Sequence, residues 1–186
     1  MTMFSEMDAF PTKFFIFGVE DKALLTDLVT EVYQRKSEIK AISWGSQAHY
    51  GDTYNTDFSA SITLAHFERV KEYISGVFSK NGFKYSIVDY WTALYKKGSD
   101  HPIHNHKLFC VEERNVNYSG ILYLSSTGRT HFYSDNVSSW NRAFNINSEF
   151  GKIILFPSTT LHSATADPSD ERERCIIAFN GVLEPK

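Results

Sequence analysis

From Asp21 the segment DKALLTDLVTEVYQRK sets Leu24, Leu25, Leu28, Val29, Val32 and Tyr33 on one helical stripe, with polar residues between them. Asp21 stands where an N-cap side chain accepts a backbone N–H, so the pattern predicts an amphipathic helix with a defined start. A second stripe of Leu64, Phe67, Ile74, Val77 and Phe78 runs through SASITLAHFERVKEYISGVFSKNG, and Asn81-Gly82 supplies a left-handed exit. The stretch SWGSQAHYGDTYNT between the two is polar and turn-rich and reads as loop.

After Gly82 the period shortens. Runs rich in Tyr, Ile, Val and Phe at 84–95, 119–125, 129–134, 143–147, 151–157 and 173–183 are divided by Gly, Ser, Asn and Pro, and read as strands. Helices first and strands afterwards predict an α+β fold in which N-terminal helices pack on one sheet of a β-sandwich or jelly roll. The expected organisation is a single domain over 1–186, with a helical part at about 1–83 and a jelly-roll core at about 84–183.

Composition narrows the function classes. A formal net charge of -3 and a pI near 6.2, with lysines and arginines scattered, provide no basic stripe to track a phosphate backbone, so no nucleic acid is expected as partner. The cysteines, Cys110 and Cys175, form no C-x-x-C pair and read as free intracellular thiols. The opening MTMFSEMDAFPTKFFIFG carries Glu6 and Asp8 and no long apolar run, so no signal peptide or membrane span is expected and the chain reads as soluble and cytoplasmic.

The candidate chemistry lies in HPIHNH, His101 to His106, three of the chain's seven histidines. In an extended segment residues two apart point the same way, so His104 and His106 can aim imidazole nitrogens at one ion. An H-x-H pair alone is weak evidence. A third ligand is available at His162, which follows the apolar strand and Pro157 of GKIILFPSTTL and so stands at a strand's rim. His49 in a polar loop and His66 on a helix read as surface or cap residues, and His131 as a strand side chain. His66-Phe67-Glu68 has the H-x-E form, but on a helix residues two apart diverge by roughly 200° and cannot chelate together.

As an ordered set these residues resemble the Fe(II)- and 2-oxoglutarate-dependent dioxygenases, particularly the prolyl-hydroxylase-like branch with its small bacterial and phage members. The resemblance is carried by Tyr95-Lys-Lys-Gly98, His104-Asn-His106, SGILYLS with Tyr123, GRTHFY, GKIILFPSTTLH with His162, and ERCIIAFNG with Arg174. It covers roughly 90 to 183, and the SWGSQ loop with the helix before it also looks like the family's N-terminal portion. It implies a double-stranded β-helix, Fe(II) held by His104, His106 and His162, and 2-oxoglutarate as co-substrate. The substrate, a small molecule or a peptide, would be hydroxylated with release of succinate and CO2. Arg174 and Tyr123 would hold the far carboxylate of 2-oxoglutarate, which needs a cationic fork and a hydroxyl donor. Alternation along RCIIAFN puts Arg174, Ile176, Ala178 and Asn180 on one face, so Arg174 should point into the barrel. Arg172, in DPSDERER, reads as a solvated loop charge.

His106 departs from the family, most of whose members carry an aspartate in that slot. Three neutral imidazoles leave an Fe(II) site at +2 rather than +1, which the co-substrate or a carboxylate such as Asp100, Glu112 or Glu113 would have to balance. Two other readings stay open. A cupin would use the same three histidines, and Gly98-x5-His104-x-His106, Glu113-x6-Gly120 and Gly151-x5-Pro157 fit its pattern. Against it, the His-to-Glu gap is too long, Thr159 and Ala166 replace pattern residues, and Arg174 has no cupin role. A jelly-roll protein with a closed, non-catalytic metal site is the other. The polar segment 107–117 is the candidate lid or substrate loop.

Overall fold

The structure is a computed structural model that describes residues 5–9, 12–41, 53–55, 62–106, 115–133 and 142–186. Asp21 caps α1 (Lys22–Gln34), its side chain accepting the Leu24 N–H at 2.9 Å, and Leu24, Leu25, Leu28 and Val32 are buried along the predicted stripe. A short α2 (Lys36–Ala41) follows. The next helix, α3 (Ala65–Lys80), begins later than its stripe suggests, because its cap comes from another helix. Glu31 of α1 accepts the N–H groups of Ala65 at 2.7 Å and His66 at 3.0 Å, satisfying donors that Leu64 cannot. Ile62 and Leu64 are buried in the non-helical chain ahead of it.

The strands in chain order are β1 (Ser5–Ala9), β2 (Thr12–Gly18), β3 (Thr53–Asn55), β4 (Phe83–Tyr95), β5 (Asp100–His104), β6 (Tyr118–Tyr123), β7 (Arg129–Tyr133), β8 (Arg142–Asn147), β9 (Lys152–Pro157), β10 (His162–Thr165) and β11 (Arg174–Pro185). They form two antiparallel sheets, a larger one ordered β1-β2-β9-β6-β11-β4-β3 and a smaller one ordered β5-β10-β7-β8. The runs predicted from composition correspond to β4, β6, β7, β8, β9 and β11, while β1, β2, β3, β5 and β10 fall outside them.

Alternation gives the larger sheet two apolar faces. Outward, Phe15, Phe17, Leu122, Ile153, Leu155, Cys175, Ile177 and Phe179 pack with Leu25, Leu28, Phe67, Val70, Ile74 and Phe78 of the helices, as the α+β reading expects. Inward, Phe14, Ile121, Tyr123, Ile154, Phe156, Ile176 and Ala178 meet Phe132, Ile146 and Ala164 of the smaller sheet. Phe132 anchors this inter-sheet core, with ring centroids 5.1 Å from Phe14 and 5.0 Å from Phe156. Burying each such ring contributes roughly 1.5 to 3 kcal/mol, so both layers hold β11 firmly while its inward face stays available for polar work.

Candidate metal centre

His104 ends β5 and His162 begins β10, and the two face each other directly across that strand pair. His162, far away in sequence, is thus on the neighbouring strand. His106 lies just past β5 at a bend, where its N–H donates to the Ser158 carbonyl at 2.8 Å and ties the segment to the chain following β9. Ring centroids are 4.2 Å apart for His104 and His162, 5.3 Å for His104 and His106, and 5.2 Å for His106 and His162. One nitrogen from each ring lies within 4.8 Å of the others, and among the described residues no carboxylate joins the group. An ion with bonds of about 2.1 Å holds its donors roughly 3 to 4 Å apart, so small ring rotations close this set on a metal.

The tautomers suit the task. Nδ1 of His104 donates to the Pro102 carbonyl at 2.8 Å, Nδ1 of His162 to the Thr160 carbonyl at 2.9 Å, and Nδ1 of His106 to Asn180 Oδ1 at 2.7 Å. With Nδ1 protonated on all three, the lone pairs remain on Nε2. Burial then keeps the rings neutral. It pushes His104 down to about 4 and His106 and His162 below the ordinary imidazole value, and the neighbouring imidazoles add to the shift in each.

A second polar cluster sits beside the histidines. Arg174, the first residue of β11, is fully buried. Its Nε donates to Ser148 Oγ at 3.2 Å and Nη2 to Thr130 Oγ1 at 2.9 Å, while Nη1 has no hydrogen-bond partner among the described residues. The guanidinium carbon lies 4.9 Å from the ring centroid of Tyr95 and 5.7 Å from that of Tyr123. Tyr123 donates to Thr130 Oγ1 at 2.8 Å. Thr130 therefore accepts from both Tyr123 and Arg174, and its own hydroxyl hydrogen is left for a further acceptor. Burial, the dominant cause, raises the Tyr95 and Tyr123 hydroxyls, so both remain protonated donors.

His101 joins the two clusters. Its ring stacks on His104 with centroids 4.3 Å apart, and its Nδ1 lies 3.4 Å from the hydroxyl of Tyr95. Burial pushes it down to about 3, helped by His104 and Arg174. In a regular strand residues three apart face opposite ways; here the β5–β10 register shifts between the partners of His104 and His101, and the irregularity brings both rings to one side. His101, Tyr95 and Thr130 thus join the candidate site; the sequence gives none of them a role, although HPIHNH, Tyr95-Lys-Lys-Gly98 and GRTHFY contain them.

His131 is a buried strand residue bonded to Asn145 and Thr165, outside the metal group. His66 bonds Glu31 through Nδ1 at 2.8 Å, a cap role. Arg172 pairs with Asp170 in an exposed loop. Asp100 is exposed on β5 and takes no part in the metal group. His49, the SWGSQ loop, Cys110, Glu112, Glu113 and positions 107–114 of the candidate lid lie outside the described residues.

No family model matches the chain, and no curated protein matches it. Solved structures do. SnoN, the non-heme alpha ketoglutarate dependent epimerase from nogalamycin biosynthesis, superposes with a TM-score of 0.71 at 12% identity over 93% of this chain and 80% of its own. A Pseudomonas putida prolyl-4-hydroxylase gives 0.59 at 13% identity over 100% of this chain and 94% of its own. HygX from Streptomyces hygroscopicus, solved with nickel and 2-oxoglutarate bound, gives 0.62 at 12% identity over 93% and 83%. At such identities the likeness is one of fold: the two sheets with their helical cover are the double-stranded β-helix that the sequence reading expects.

Proposed function

We propose that this chain is an Fe(II)- and 2-oxoglutarate-dependent oxygenase. Three features support the reading together: the shared fold, three imidazoles with a nitrogen of each within 4.8 Å of the others, and the buried cation beside them. The observation that carries it is Arg174. A fully buried guanidinium with one unpaired nitrogen and no carboxylate partner among the described residues is expensive by several kcal/mol unless an anion completes it.

His104, His106 and His162 would hold the iron, leaving its other coordination positions to co-substrate and oxygen. Arg174 would grip the far carboxylate of 2-oxoglutarate with Nη1, assisted by the hydroxyls of Thr130 and Tyr123. Tyr95 and His101 would line the stretch between that carboxylate and the metal. Iron with 2-oxoglutarate supplies oxidative decarboxylation to succinate and CO2 coupled to hydroxylation of a C–H bond. The chain supplies orientation, dry surroundings and neutral ligands.

The substrate class is a small molecule or a peptide, and 107–117 is the segment proposed to cover it. No described helix is long and apolar enough to cross a membrane, and we place the enzyme in the cytoplasm, where the buried thiol of Cys175 stays reduced. The cupin reading shares the histidines but leaves Arg174 without a purpose. Anaerobic addition of Fe(II) and then 2-oxoglutarate tests the proposal: a visible charge-transfer band should appear, and succinate should form when air is admitted. Metal binding with neither band nor succinate would favour a non-catalytic metal site.

A further inference from the structure

Behind His106 lies a buried carboxylate that neither the metal face nor the anion cluster uses. Asp89 on β4, Asn180 on β11 and Ser119 on β6 form one row across the larger sheet, Asn180 being registered with both of the others, and all three are buried. Asn180 Nδ2 donates to Asp89 Oδ1 at 2.8 Å. On its other side, Asn180 Oδ1 lies 2.7 Å from His106 Nδ1 and 2.7 Å from Ser119 Oγ. Ser119 Oγ also lies 2.9 Å from His106 Nδ1 and 2.9 Å from Ser158 Oγ.

The two ends of an amide are chemically opposite: the nitrogen donates and the oxygen accepts. A carboxylate only accepts, so Asp89 takes the nitrogen end of Asn180 and turns its oxygen towards His106. Facing an oxygen that only accepts, Nδ1 must carry the proton, and the lone pair is left on Nε2. A reversed amide would reverse the tautomer and point Nε2–H into the cluster, where it cannot ligate. His104 and His162 need no such device, because each Nδ1 is committed to a main-chain carbonyl two residues upstream. His106 is therefore the ligand whose tautomer depends on side chains.

We infer that Asp89 is a positioning residue of the metal centre: acting through Asn180, it locks His106 in the ligating tautomer. The inference rests on the reading of His104, His106 and His162 as ligands.

The test uses the metal-free protein labelled with 15N at histidine, long-range 1H–15N spectra to read the His106 tautomer, and titration with Zn(II). Wild type should show only Nδ1–H at His106. Asp89→Asn should admit the Nε2–H form and weaken Zn(II) binding about 10- to 100-fold. The double variant Asp89→Asn with Asn180→Asp, which again offers His106 an acceptor-only oxygen, should recover affinity to within about threefold of wild type. Unchanged tautomer and affinity in Asp89→Asn would overturn the inference, and so would Nε2–H at His106 in the unaltered protein, a result that stands even if the variant fails to fold. A wild type that binds no Zn(II) would instead remove the metal reading beneath it.

Discussion

His104 and His162 face each other across the β5–β10 pair with ring centroids 4.2 Å apart, each Nδ1 bonded to the carbonyl two residues before it. The same local device thus orients two candidate ligands from facing strands at one end of the pair, and Asn180 supplies its counterpart for His106.

Replacing one of the facing pair should disable the metal face with little harm to the fold. His162→Ala removes one donor of three and leaves a small void beside Phe132 and Phe156. Zn(II) affinity by isothermal titration should fall by at least 100-fold, while the melting temperature of the metal-free protein shifts by only a few degrees. Affinity within tenfold of wild type would mean that His162 is not a ligand.

Arg174→Met separates the anion cluster from the metal face. The variant should keep metal affinity within about threefold, lose 2-oxoglutarate binding, and melt no lower than wild type, because it deletes a buried charge lacking a counter-ion. 2-Oxoglutarate should raise the melting temperature of metal-loaded wild type and leave that of the variant unchanged. Equal co-substrate affinity in the two proteins would reject the assignment.

Gly128 makes room for that same arginine. Its φ is +75°, and a Cβ there would lie 2.3 Å from the Thr165 carbonyl oxygen and 2.6 Å from Arg174 Cδ. Gly128→Ala should therefore destabilise by about 1 to 3 kcal/mol in urea unfolding and weaken 2-oxoglutarate more than metal. A variant as stable as wild type would show that the turn accommodates a side chain.

Acid should destabilise the metal-free protein earlier than ordinary carboxylate titration does. His104 sits near 4 and His101 near 3, with His106 and His162 also lowered, against an ordinary value near 6.5. Below pH 6.5 the unfolded chain takes up protons that the folded rings refuse, so stability falls from there towards pH 4 and is insensitive to these groups above 6.5. The contribution of His104 alone is on the order of 3 kcal/mol by pH 4. Urea midpoints measured between pH 4 and 8 should decline below 6.5, and the decline should be smaller in His101→Phe. A flat profile down to pH 5 would show that the rings are protonated in the folded state.

Much of this architecture can be read from the chain because its signals are strong and local. The stripe of α1, the alternation that turns Arg174 inward and Cys175 outward, and the reach of β9 all follow from hydrophobic period. What stayed hidden has physical causes. Strands β5 and β10 are short and polar, and Pro102 is tolerated in β5 because that strand forms an edge of its sheet. His101 escaped assignment because a shift of register, invisible in sequence, carries it to the side of His104. The start of α3 is not legible in the sequence because its cap, Glu31, belongs to another helix. The row from Asp89 to His106 joins residues that only the strand order makes neighbours.

The place of β5 on the rim of the smaller sheet would give a bound ion a mechanical part as well as a chemical one. One flank of that strand is zipped to β10, and beyond its end the chain is tethered at His106 to Ser158. A cation shared by His104, His106 and His162 would rivet these pieces together at the edge of the sheet. Chelation would then loosen that rim first, and the exposed bond beside Ile103 is where a protease would register the loss.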